Sequence, residues 1–198
     1  MCRLGLNRFD AAYSFGAYEG ELRKLIHIFK YGKVRSLARP LGALLAAALP
    51  REERFDALLP VPLHWWRAFQ RGFNQSHLLA REVARRTGIR LIRPVRRVRP
   101  TPPQAGLSNA ARRTNVGAAF QVRGRLTGLR LLLIDDVMTT GATANACAAA
   151  LKRAGAARVT LLTLARVDRR MFVSLPGTAG GKSVTSWSGP DAERESIA

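Results

Sequence analysis

Cysteine is nearly missing from this chain: Cys2 and Cys147 are the whole supply in 198 residues. Two thiols cannot build the cross-linked framework of a small disulfide-rich domain. No run of about 18 apolar residues occurs, so no transmembrane helix and no membrane insertion are expected. The opening Met1-Cys2-Arg3-Leu4-Gly5 has no apolar core of signal-peptide length, so a cytoplasmic location is expected. Acidic residues are scarce too, 13 against 33 basic ones, which leaves a formal charge of +20. Such a charge attracts polyanions. Only five of the 33 basic residues are lysine, however, and alanine is abundant. Coding from a GC-rich genome yields that mixture without any selection for binding, so charge alone leaves nucleic-acid affinity open. What is present in quantity is apolar side chain, at 47%. That is enough for one α/β domain with a core and a small appendage.

The stretch that organises the rest is 131–143, Leu-Leu-Leu-Ile-Asp-Asp-Val-Met-Thr-Thr-Gly-Ala-Thr. Four aliphatic residues in a row predict a strand buried on both faces. Asp135 and Asp136 are expected at its end. A turn of Thr139, Thr140, Gly141, Ala142 and Thr143 follows, then an alanine-rich helix over about 142–154, stopped by Gly155. A hydroxyl- and glycine-rich turn at a helix start directs N–H groups and hydroxyls outward, and the helix dipole adds positive potential, so the turn suits a phosphate. Carboxylates suit the hydroxyls of a sugar carried on that phosphate, and Mg²⁺ with its water shell.

Along the chain, residues 9–18 partly alternate and predict a strand or hairpin. A helix opens at Glu19-Gly20-Glu21, with Leu22, Leu25, Ile26 and Phe29 at helical spacing, and closes at Lys30-Tyr31-Gly32. His27 lies near that stripe and reads as structural. A second helix is expected over 34–49. Ala57 to Leu59 predict a short buried strand, ended by Pro60 and Pro62. The Pro-rich loop with Val61, Pro62, Arg67 and Arg71 is a candidate pyrophosphate seat. A helix is expected over 74–87, closed by Gly88. Arg90 to Arg93 suggest a short strand, and the remainder to Arg99 a basic exposed segment. Residues 100–120 begin as a long Pro/Gly-punctuated loop, with Ser108 as the N-cap of a short helix. Gln104, Arg112 and Arg113 make the loop a candidate flap, and a linker is the alternative. Arg158 to Ala165 predict a second buried strand, so the strands flanking helix 142–154 form a parallel βαβ unit. Cys147 reads as a packing residue. Residues 173–198, rich in Gly and Ser, are expected to be a disordered tail.

The 131–143 window resembles the phosphoribosyl-pyrophosphate (PRPP) motif of type I phosphoribosyltransferases. That resemblance implies a Rossmann-like α/β core with a mainly parallel sheet flanked by helices. It also implies Asp135 and Asp136 at the ribose hydroxyls as catalytic residues. The 5′-phosphate would lie against Val137, Met138, Thr139, Thr140, Gly141, Ala142 and Thr143. Mg²⁺ would be held with PRPP rather than by a protein cage. Further stretches narrow the likeness: 26–32 (Ile-His-Ile-Phe-Lys-Tyr-Gly), 60–63 (Pro-Val-Pro-Leu), 71–75 (Arg-Gly-Phe-Asn-Gln), 103–108 (Pro-Gln-Ala-Gly-Leu-Ser), 112–116 (Arg-Arg-Thr-Asn-Val) and 164–166 (Leu-Ala-Arg). Over about 9–167 these look like the ComF (competence protein F) family. The family is linked to DNA uptake, which implies single-stranded DNA and uptake proteins as partners and leaves catalysis open. Homodimers, common in the superfamily, are a further expectation. The family usually begins with a four-cysteine zinc module. Here only Cys2 stands in its place, and one thiolate cannot make a tetrahedral site, so no zinc is expected in this chain. The organisation expected is an N-terminal segment 1–50 packed on a core 51–172, followed by the tail.

Overall fold

The computed structural model describes residues 8–63, 72–98 and 119–167. The core is a four-stranded, wholly parallel sheet. In spatial order its strands are β1 (Ala11–Ala17), β6 (Arg158–Arg166), β5 (Arg130–Met138) and β2 (Ala57–Pro60). The 9–18 segment is thus a strand and not a hairpin, because β1 pairs with β6 from Ala11↔Thr160 to Ala17↔Arg166.

β5 and β6 are near-continuous aliphatic runs because both their faces are covered. Residues alternate across a strand. Leu131 and Leu133 face one apolar cluster, and Leu132 and Ile134 face another. The second cluster is closed by α1 (Gly20–Tyr31), α2 (Ala38–Ala47) and α3 (Gln75–Thr87), which contribute Ile26, Phe29, Leu41, Leu45, Leu79 and Val83. The first is closed by α4 (Ala142–Arg153) and by an antiparallel ribbon, β3 (Val95–Arg97) with β4 (Phe120–Val122). The helices α2 and α3 cross closely at Gly42, where an added Cβ would meet Glu82 Cβ at 2.3 Å.

Several boundaries follow local chemistry. The Asn74 side chain caps α3 by accepting from His77 N–H at 3.2 Å, and Gly88, at φ 73°, ends it in the left-handed region. The helix expected over 34–49 is shorter. Arg35–Leu37 form a tighter 3-10 turn, and α2 begins at Ala38, which puts Pro40 in the first turn, where no N–H is needed. Of the apolar stripe on α1, Ile26 and Phe29 are buried while Leu25 is 37% exposed. His27 is exposed and stacks on Tyr31, so it takes no part in the cleft described below.

Two expectations need correction. The strand expected at 90–93 shrinks to one parallel bridge, Leu58↔Leu91, with Leu58 N–H on Arg90 O and Ile92 N–H on Leu58 O, both at 2.9 Å. Pro94 cannot extend that ladder, and the strand forms instead at Val95–Arg97, within the segment expected to be merely basic and exposed. Likewise β5 does not end at the carboxylates. It runs on to Met138 because β6 is equally long and keeps pairing, through Val137↔Ala165 and Met138↔Arg166. Residues 99–118, including the candidate flap, and the tail from 168 lie outside the described residues.

Candidate functional site

The carboxyl ends of β2 and β5 open into a cleft of about 240 Å³. Its walls include Asp135, Asp136, Val61, Pro62, Thr139 and Thr143. A smaller hollow of about 60 Å³ adjoins it, under the turn Thr139–Thr143. In an open parallel sheet this is where ligands bind.

The turn is built for close approach. Gly141 adopts φ 71° immediately before α4, a backbone that β-carbon residues resist. Thr140 Oγ1 accepts from Ala142 N–H at 3.3 Å, and Asn145 N–H closes on Gly141 O at 2.8 Å. The first N–H groups of a helix have no partners within it, so α4 presents donors and its dipole to the hollow. Val137 and Met138 belong to the strand and not to this turn. Val137 lines both hollows and Met138 lines the smaller one.

The two carboxylates, adjacent in sequence, have different surroundings. By alternation Asp135 shares the face of Leu131 and Leu133, and Asp136 that of Leu132 and Ile134. Asp135 accepts from Ser76 Oγ and from the Asp136 N–H, each at 2.9 Å. It keeps some surface in the cleft, yet its carboxyl is packed about by protein. Burial, then the neighbouring Asp136 charge, push it up to about 7, against the pull of the Ser76 hydroxyl, the Asp136 N–H and the Lys30 charge. Asp136 forms an ion pair with Lys30, Nζ to Oδ1 at 2.9 Å, with both side chains largely buried, at 15% and 11% exposure.

Sequence reasoning missed Lys30 and Ser76, and the structure brings both to the acid pair. The 71–75 stretch runs straight into Ser76, and three consecutive residues there tie the site together. Asn74 Nδ2 reaches Val61 O at 3.4 Å, Gln75 Nε2 reaches Lys30 O at 3.4 Å, and Ser76 holds Asp135. Of the residues expected at a pyrophosphate seat, Val61 and Pro62 line the cleft, whereas Arg67 and Arg71 lie outside the described residues. Gln104, Arg112 and Arg113 do so as well. Arg97, on β3, also lines the cleft, with its guanidinium 5.5 Å from the Phe120 ring centre. Cys147 is fully buried behind Asp135. Burial, then the Asp135 charge, raise its thiol well above the ordinary range, which keeps it unreactive.

No family model matches the chain. Curated relatives do. Competence protein F of Haemophilus influenzae is 34% identical over 168 residues, which is 80% of this chain and 73% of that protein. The chain belongs to the competence protein F family. Its other relatives include the DNA utilization protein YhgH of Escherichia coli K12, 34% identical over 75% of this chain and 69% of that protein. The competence protein ComFC of Bacillus subtilis is 37% identical over 58% of this chain and 46% of that protein. Among solved structures, a glutamine PRPP amidotransferase from B. subtilis aligns at 24% identity over 65% of this chain and 26% of that one, with a TM-score of 0.47. A purine phosphoribosyltransferase from Pyrococcus horikoshii aligns at 20% identity over 69% and 75%, with a TM-score of 0.36. Superpositions this loose add no weight to the family assignment.

Proposed function

We propose that this ComF-family protein binds PRPP in the cleft at the end of β5 and transfers its 5-phosphoribosyl group to a nitrogen nucleophile, releasing pyrophosphate. One observation carries the reading. An acid pair and a hydroxyl/glycine helix-start turn face the same 240 Å³ cleft, so a sugar's hydroxyls and its phosphate meet complementary groups at once. The turn would take the 5′-phosphate, and Asp135 and Asp136 the ribose hydroxyls. In the reaction the bond from C1′ to the diphosphate oxygen breaks, its electron pair leaving with pyrophosphate, and a bond from C1′ to the nucleophile's nitrogen forms. Positive charge that develops on the ribose ring lies beside two carboxylates, which stabilise it. Both acids already have protein partners, Ser76 for Asp135 and Lys30 for Asp136. Mg²⁺ therefore suits this site as a companion of the diphosphate, whose charge it would neutralise. The test is calorimetry of PRPP with Mg²⁺ on the wild type and on the double variant Asp135→Asn, Asp136→Asn. Micromolar binding lost in the variant is expected. Absence of binding to a folded wild type overturns the reading.

A second reading, a single-stranded-DNA accessory of an uptake machinery, has its own support. Between Val83 and Ile134 the chain carries twelve arginines and no acidic residue. The β3–β4 ribbon lies in that stretch. Arg96 and Gln121 are opposed on its outer face, and Arg96 and Arg123 are exposed. Relatives named for competence and DNA utilization favour the same reading. DNA held through phosphates releases counterions, so its affinity should fall steeply between low and high salt. Arg96→Glu with Arg123→Glu should flatten that slope, and an unchanged slope would remove the ribbon from consideration. No helix among the described residues is long and apolar enough to cross a membrane.

A further inference from the structure

The Lys30–Asp136 pair poses a question that PRPP binding does not answer. An acid that is to receive ribose hydroxyls is already held by an ammonium at 2.9 Å. Among the described ion pairs this is the one with both members in the cleft wall. Its support is rigid. Lys30 stands at the last turn of α1, one residue beyond the fully buried Phe29, and Gln75 grips its carbonyl. Its head can change partner, since an ammonium on a four-carbon stem is a compact point charge with three rotatable donors. It shares the cleft with Val61 and Pro62 of the candidate pyrophosphate seat.

We propose that Lys30 is one half of an ion exchange: it holds Asp136 until a phosphoribosyl diphosphate enters and then passes to the diphosphate, freeing Asp136 for the ribose hydroxyls. The inference rests on the PRPP reading and adds a selectivity to it. A ligand with a diphosphate offers Lys30 a replacement partner. One without a diphosphate, such as ribose 5-phosphate, must compete with Lys30 for Asp136 and gives nothing in return. The cleft would thereby discriminate against the monophosphate, even though it carries the same phosphate and hydroxyls.

The experiment is calorimetry of PRPP and of ribose 5-phosphate, each with Mg²⁺ at pH 8, on the wild type, Lys30→Met and Lys30→Gln. Thermal unfolding checks that each variant is folded. For both variants we expect PRPP affinity to fall at least tenfold while ribose 5-phosphate affinity holds or rises, so that the ratio of the two collapses. Equal loss of both ligands would make Lys30 a fixed structural counter-ion, and no loss of either would make it a bystander; each result overturns the exchange. The PRPP reading fails separately, and takes the exchange with it, if the folded wild type binds neither ligand.

Discussion

The two ends of the sheet treat their carboxylates in opposite ways. At the amino end Glu53 is saturated. It accepts from Tyr13 Oη at 2.9 Å, Thr160 Oγ1 at 3.1 Å, and Arg158 Nη2 and Nε at 3.1 and 3.3 Å. Burial by itself would raise that carboxyl, but the Arg158 and Tyr13 hydrogen bonds, the Arg158 charge and Thr160 together hold it below its ordinary value. Asp10 and Asp56 at the same end accept from the backbone N–H groups of Val159 and Arg130, each at 2.7 Å. At the carboxyl end Asp135 has one side-chain donor and a like charge beside it, and it is raised to about 7. A fully compensated carboxylate ties strands together and has little left to offer a ligand. An under-compensated one costs stability and keeps its oxygens for something else.

The sharpest division between the ends is in binding. Asp135→Asn with Asp136→Asn should lower PRPP affinity by about 100-fold or more, since each lost charge-assisted hydrogen bond is worth about 1.5–3 kcal/mol. Asp136→Asn strands the largely buried Lys30 ammonium, whereas Asp135→Asn alone should leave the unfolding temperature unreduced. Glu53→Gln should do the reverse. It leaves Arg158 half-paired and costs about 2 kcal/mol, a drop of roughly 4–8 °C at this chain length, with PRPP affinity unchanged. A Glu53 variant that loses affinity at full stability would break the division. The pH dependence has a definite sign. The Glu53 carboxyl is lowered on folding, so its contribution is complete above the ordinary glutamate value, about pH 4.3. It is lost as pH falls through the lower folded value.

Much of this was legible in the sequence, and what was missed has a physical pattern. The strand, turn and helix of 131–155 were readable because periodicity and turn chemistry are local. So was α3, expected over 74–87 and closed by Gly88, with Asn74 standing as its cap and not its first residue. Lys30 read only as part of the stretch that closes a helix, and nothing local marks its partner, which lies far along the chain. Ser76 hid as a small polar residue just past an N-cap. The available signal was the grouping of 26–32 and 71–75 as separate motifs whose apolar residues the helices alone do not require. The Glu53 cluster joins a loop residue to three strand positions in β1 and β6, a relation fixed by sheet order and invisible before it.

A smaller and more diagnostic effect concerns Asp135 alone. Its folded value of about 7 stands above the ordinary aspartate value, about 3.9. Between those values the folded protein holds a proton that the unfolded chain has released, so stability declines as pH rises from about 4 to about 7. Asparagine never ionises, and its Oδ1 can still accept from Ser76 and from the residue 136 N–H. Asp135→Asn should therefore unfold at a higher temperature than the wild type at pH 8 and at the same temperature near pH 4. A constant difference across that range would mean that Asp135, at the carboxyl end of the sheet, is no less compensated than Glu53.

The smallest effect asks which bond matters at the amino end. Asp10 makes two: Oδ2 accepts from Val159 N–H at 2.7 Å, and its carboxylate meets Lys152 Nζ at 2.8 Å. The ion pair is about a third exposed, at 29% and 33%, so water and salt screen it. Val159 is fully buried, and its N–H has no water to fall back on. Asp10→Asn keeps an oxygen for that N–H and gives up only the charge, so it should cost less than about 0.5–1 kcal/mol. Asp10→Ala orphans the N–H and should cost about 1–2 kcal/mol more. Urea unfolding of the two variants reads the difference directly. If the two variants cost the same, charge would hold the amino end together, and its carboxylates would differ from Asp135 in partner count alone, not in the kind of bond they make.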